Sequence, residues 1–129
     1  DLALHYGQGS ILSADIAARQ QIPEAYLVQL LNLLGKAGLI RSVRGPKGGH
    51  QLLKRPEEVS VQEVLAALEG PVALFDKGES RSAGGGETDV LRDVWVAVEN
   101  AINGVLSAVT FADLCKKHQM QQANFMFRI

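Results

Sequence analysis

Between residues 24 and 36, Leu27, Leu30, Leu31 and Leu34 recur every three or four positions. That period predicts a helix with one face held on a core. Pro23 stands near its first position, where the missing N–H removes no hydrogen bond, and Gly38 follows as a left-handed stop. Upstream, residues 14–20 form a shorter helical pattern with Ser13 as the expected N-cap. Residues 13–36 therefore predict two helices joined by a tight turn. The period then changes. Residues 39–43 and 50–53 alternate apolar and polar on either side of Arg44-Gly45-Pro46-Lys47-Gly48-Gly49, which predicts a β-hairpin.

Outside this block the pattern is mostly helical. Residues 1–6 read as the end of a helix stopped by Gly7 and Gly9. After Pro56, Ser60-Val61-Gln62-Glu63 matches the S-x-x-E capping box and opens an apolar helix to about Glu69, which Gly70-Pro71 ends. Residues 76–86, DKGESRSAGGG, are polar, rich in Gly and Ser and without period, as a mobile loop would be. Thr88 is the expected cap of a helix running to about Val109. Along it Leu91, Val94, Trp95, Val98, Ile102, Val105, Leu106 and Val109 repeat at three or four residues. A stripe on a helix of that length needs burial, and a second subunit is the natural cover. A short helix over 111–122 and an apolar tail, 125–129, are expected to return over the core.

A helix pair followed by a hairpin is the layout of a winged helix-turn-helix. The expected fold is mainly α with a small β-hairpin wing (α+β). Residues 1–70 would form the winged unit, with the helix-turn-helix over about 13–36 and the wing over 39–55. Residues 71–87 would be a flexible loop, and 88–129 a dimerisation helix with a C-terminal helix and tail.

Charge sharpens this picture. Residues 1–56 carry seven Lys/Arg against three Asp/Glu, a net of +4, whereas residues 57–129 carry six against eleven, a net of −5. A basic half beside an acidic half points to nucleic acid as the partner of the first alone. The hairpin tip presents Arg44 and Lys47 among glycines, so charge and backbone can both approach a polyanion. On the second helix, the face away from the leucines carries Tyr26, Gln29, Asn32 and Lys36. An α-helix fits the major groove, where Gln and Asn pair bidentately with adenine, although a polar outer face is also ordinary for an amphipathic helix.

Composition excludes several classes. At 129 residues the chain can bury roughly two thirds of its unfolded surface, so it needs no disulfide or metal to fold. The single Cys115 favours a reducing, cytoplasmic setting. No apolar run reaches membrane-span length and no secretory leader is evident. The chain opens at Asp1 within a helical pattern, so a preceding segment is expected. There is no nucleophile–base–acid set and no HExxH or CxxC pattern, so an enzyme is not expected. Gly84-Gly85-Gly86 precedes a helix but reads as linker.

The string SVRGPKGGH at 42–50, with ADIAARQQIP at 14–23, YLVQLL at 26–31, KAGLI at 36–40, VLRDVW at 90–95 and TFADL at 110–114, resembles the Rrf-two-type family of bacterial regulators. The resemblance spans essentially the whole chain. It implies a dimeric winged-helix transcriptional regulator, a repressor by expectation, that binds palindromic promoter sites and responds to metabolic or redox signals. By position it implies DNA contacts from Tyr26, Gln29, Arg44 and Lys47, with Pro46, Gly48 and Gly49 shaping the wing tip. Asn32, Arg41 and Gly48 complete the candidate DNA-binding set. Arg44 also has a physical reason to enter a minor groove, because a narrow groove carries enhanced negative potential.

The sequence departs from the family at three places. Val28 stands where some relatives carry a Glu that separates site classes, so their target sequences do not transfer. His50 replaces a common Tyr and reads as structural. Cluster-binding relatives carry three cysteines in the loop before the long helix, and residues 74–87 contain none. Thiolates are the usual iron–sulfur ligands, so no cofactor and no metal site is expected. Cys115, beside Lys116, Lys117 and His118, is either a redox-active thiol or a half-buried apolar side chain. His5 and His118 show no metal-ligand spacing. The expected partners are double-stranded DNA, a second copy of the chain, and a small-molecule or metabolic-enzyme effector. The alternative is a protein-interaction module on a winged-helix scaffold that does not bind DNA itself.

Overall fold

Three residues make the turn between the first two helices. In the computed structural model, which describes residues 1–72 and 87–128, α1 (Ser13–Gln20) ends at Gln21, whose φ of 54° is left-handed, and α2 (Glu24–Lys36) begins after Pro23. The Pro23 carbonyl accepts the first helical bond of α2, from the Leu27 N–H at 3.0 Å. At the far end, Gly38 at φ 76° lets its own N–H reach the Gly35 carbonyl while the Leu39 N–H reaches that of Leu34. These paired bonds stop the helix and turn the chain into the hairpin.

Strands β1 (Ile40–Val43) and β2 (Gly49–Leu52) pair antiparallel, Ile40 opposite Leu52 and Val43 opposite Gly49. A third segment completes the ribbon. Ile11 exchanges both backbone bonds with His50, at 2.9 and 2.8 Å. The approach is possible because position 49 is glycine: a Cβ there would stand 2.5 Å from the Ile11 carbonyl oxygen.

The core gathers Ile16 and Ala17 of α1, Leu27 and Leu31 of α2, Leu39 and Ile40 entering the hairpin, and Val59. Val59, only 1% exposed, follows a short 3-10 turn, Pro56–Glu58, and precedes α3 (Val61–Glu69). Ser60 caps α3 as expected, its hydroxyl accepting from the Glu63 N–H at 3.1 Å. The long helix α4 (Glu87–Ala108) leads into α5 (Phe111–Phe127). Their joint is clamped to the start of α3 by a two-bond bridge, from Val61 N–H to the Val109 carbonyl and from Phe111 N–H to the Val59 carbonyl, each 2.9 Å. Phe111 packs against the core.

Several expectations need correction. Residues 2–7 form hydrogen-bonded turns rather than a helix. Ser13 is not an N-cap: it lies inside α1, after Leu12, and its hydroxyl donates to Glu24 Oε1 across the interhelical turn at 3.2 Å. Thr88 lies inside α4, which already includes Glu87. The last helix continues five residues beyond 122, because Thr110 and Asp113 cap its start reciprocally and nothing between them and Phe127 breaks it. The tail does not return over the core, since Phe125 and Met126 are exposed and Phe127 is 91% exposed. The loop expected over 71–87 falls, from 73 to 86, outside the described residues.

Candidate nucleic-acid interface

The buried stripe of α2 fixes what its other side presents. With Leu27 and Leu31 inward, Tyr26, Gln29, Asn32 and Lys36 are all exposed. Val28 is exposed with them, an apolar side chain on a face of hydrogen-bonding groups. Among the described residues, neither the Gln29 nor the Asn32 side-chain amide joins an intrachain hydrogen bond, so both are available to a ligand.

The wing tip is built around one β-turn. The Gly48 N–H donates to the Gly45 carbonyl at 2.9 Å, with Pro46 and Lys47 between them. Gly45 has φ 109°, and Gly48 is buried beneath the tip, where a Cβ would stand 2.4 Å from the Val43 carbonyl oxygen. Gly48 thus lets the turn close; it is not a contact surface. Arg44 precedes the turn and Lys47 stands within it, both exposed, and neither joins an ion pair among the described residues. Arg41, also exposed, lies one strand position across from Gln51. Ser42 Oγ and His50 Nδ1 pair across the hairpin at 2.9 Å. Burial pushes the His50 imidazole below its ordinary value, so the neutral ring is favoured there. His50 is structural in this setting, holding the wing through its side chain and its backbone.

The apolar stripe expected to meet a second subunit divides in two. Leu91, Val94, Trp95, Val98 and Val105 are exposed on α4, whereas Ile102 and Leu106 are half-buried. The lower part of α4 rests on α3, where Gln62 Nε2 donates to Asn103 Oδ1 at 3.2 Å and Leu106 shares a cleft with Leu65 and Ala66. Among the described residues, the first group is the exposed part of the stripe.

Cys115 is half-buried on α5, beside a cleft of about 700 Å³ that it shares with Tyr6, Arg55, Glu57 and Lys116. Among the described residues no three His, Cys, Asp or Glu side chains gather as a metal site. No helix among them is long and apolar enough to cross a membrane. Sequence reading missed Ile11 as part of the wing, and missed Gln51, within the expected wing, as the partner of Arg41. Gln51 was visible as a polar residue in an alternating strand, but its cross-strand partner depends on register.

Comparison with known proteins gives one consistent result. Residues 1–117 match the Rrf2 family model, described as an iron-dependent transcriptional regulator. The helix-turn-helix-type transcriptional regulator IscR of Aliivibrio salmonicida is 34% identical over 124 residues, 96% of this chain and 74% of that protein. CymR of Bacillus subtilis is 31% identical over 129 residues, 100% of this chain and 89% of that protein. Among solved structures, CymR, the global cysteine regulator of B. subtilis, superposes with a TM-score of 0.76 at 30% identity, covering 90% of this chain and 85% of that one. IscR of T. potens gives 0.75 at 36% identity, covering 95% and 80%. One half-buried thiol on α5, with no clustered ligands among the described residues, lacks the thiolate set that a cluster requires.

Proposed function

The chain belongs to the Rrf2 family and is a helix-turn-helix transcriptional regulator rather than an enzyme, and from that premise we propose that it is a homodimeric repressor acting in the cytoplasm on a palindromic promoter site. Residues 1–70 serve as the DNA-binding unit and 88–129 as the dimerisation unit. In each protomer α2 enters the major groove, with Tyr26, Gln29 and Asn32 toward base edges and phosphates. The wing lies on the neighbouring backbone, with Arg44 in the minor groove, Lys47 and Arg41 on phosphates, and Gly48 shaping the tip. Two protomers joined through the exposed stripe of α4 read half-sites about one helical turn apart. The thiol inventory supports a signal other than a cluster, carried by a small molecule or a partner enzyme.

The observation that carries this reading is the adjacency of two exposed surfaces. The amide-bearing face of α2 and the unpaired cations of the wing are joined by a single tight turn at Gly38. The test is selection of bound sequences from random duplex DNA, followed by anisotropy on the recovered site across a salt series. A two-fold symmetric motif and a steep salt slope are expected, since phosphate contacts release counterions. Arg44→Ala should weaken binding to that site by roughly 1–3 kcal/mol. Binding of proteins without salt-dependent DNA binding would replace this reading with the interaction module.

A further inference from the structure

We propose that Gln51 is a positioning residue for DNA binding, holding Arg41 so that one edge of its guanidinium is presented to a backbone phosphate. The proposal rests on the reading of Arg41 as a DNA contact. Arg41 and Gln51 are directly opposite in the hairpin register, where side chains on one face stand close enough to interact. With the Gln51 amide oxygen turned toward the guanidinium, it accepts from Arg41 Nε and Nη2, each at 2.8 Å. The reverse orientation would set N–H against N–H, so the chemistry chooses the first.

That bond uses the Nε–H and one Nη2–H. Of the five guanidinium donors it leaves both Nη1 hydrogens and one Nη2 hydrogen, which is the forked edge that matches two phosphate oxygens. Three further observations agree. Arg41 remains exposed and joins no ion pair among the described residues. The cleft beside it, about 330 Å³ and bordered by His5, Tyr6, Ile11 and Leu53, has no acidic residue in its lining. Arg41 also lies three residues before Arg44, on the arm of the hairpin that leads into the wing tip. A free arginine would lose side-chain freedom on binding; an arginine already held by Gln51 has lost it beforehand.

A double-mutant cycle on the full chain and its selected duplex tests this, with affinity measured against salt. Arg41→Ala should weaken binding and reduce the salt slope by about one phosphate contact. Gln51→Leu should weaken binding roughly two- to tenfold while leaving the slope unchanged, because the charge remains. In the Arg41→Ala background, Gln51→Leu should have no further effect. Gln51→Glu keeps Arg41 held but neutralises it, so its slope should fall as for Arg41→Ala, and its folding controls for damage to the hairpin. The proposal is overturned if Gln51→Leu leaves affinity unchanged or weakens binding equally with and without Arg41. If Arg41→Ala changes neither affinity nor slope while the wild type binds normally, Arg41 and Gln51 drop out and the DNA-binding reading stands. If the wild type shows no salt-dependent duplex binding, that reading fails as well.

Discussion

At the wing, one missing Cβ decides the geometry. Gly49 has φ 144°, and a Cβ there would stand 2.5 Å from the Ile11 carbonyl oxygen, so Gly49→Ala is opposed both by conformation and by space. We expect a stability loss of more than about 1 kcal/mol and weaker DNA binding, read by urea unfolding and anisotropy on one preparation. His50 gives a second prediction at this scale. Burial favours its neutral form in the folded chain, so near pH 6.5 the unfolded chain binds the proton more readily, and this contribution to stability is lost as pH falls. Unfolding at pH 7.5 and pH 5 should show the loss, and His50→Gln should reduce it. Residue types at the tip were legible in the sequence because Gly and Pro punctuate turns locally. Ile11 was not, since nothing in its own neighbourhood marks it as a strand partner.

Helix ends show which local signals survive folding. Ser60 does what its S-x-x-E pattern implies, and Ser60→Ala should cost about 1 kcal/mol, seen as a lower Tm. Thr110 and Asp113 go further and cap α5 reciprocally, with Thr110 N–H donating to Asp113 Oδ2 at 3.0 Å and Asp113 N–H donating to Thr110 Oγ1 at 3.2 Å. The signal was present as T-x-x-D and was missed in favour of the apolar residues around it. Hydrogen bonding to the Thr110 backbone, then to its side chain, holds the Asp113 carboxyl below the usual carboxylate range. Its contribution is therefore present above that range and is lost as pH falls through the lowered value. Asp113→Asn should remove this part of the acid sensitivity in a pH series of thermal melts. Ser13 shows the opposite outcome. Its hydroxyl spans the turn to Glu24, a partner eleven residues away that competes with the local cap.

For the whole molecule, the question is what covers α4. Leu91, Val94, Trp95 and Val98 are exposed along one helix, while its lower end is fastened to α3 through Asn103 and to Val61 through Val109. A second copy laid on the exposed part would place two wings and two copies of α2 on one duplex. Val94→Glu places a charge in that stripe. Sedimentation should then show a monomer that still unfolds cooperatively, and affinity for a two-half-site duplex should fall by about a hundredfold or more, because the second half-site no longer binds intramolecularly. A variant that remains dimeric would move the interface off this stripe.

The sequence by itself determined the order of elements, the inward stripe of α2, the basic turn of the wing and the absence of loop thiolates. Each depends on periods, turn chemistry or residue types confined to a few neighbouring positions. Tertiary structure alone decided that Ile11 joins the hairpin, that Gln51 meets Arg41, that Ser13 gives up its cap for Glu24, and that Ile102 and Leu106 of the α4 stripe are half-buried while Leu91, Val94 and Val98 are exposed. Those outcomes depend on register and on long-range contacts, where a shift of one residue exchanges one face of a strand for the other.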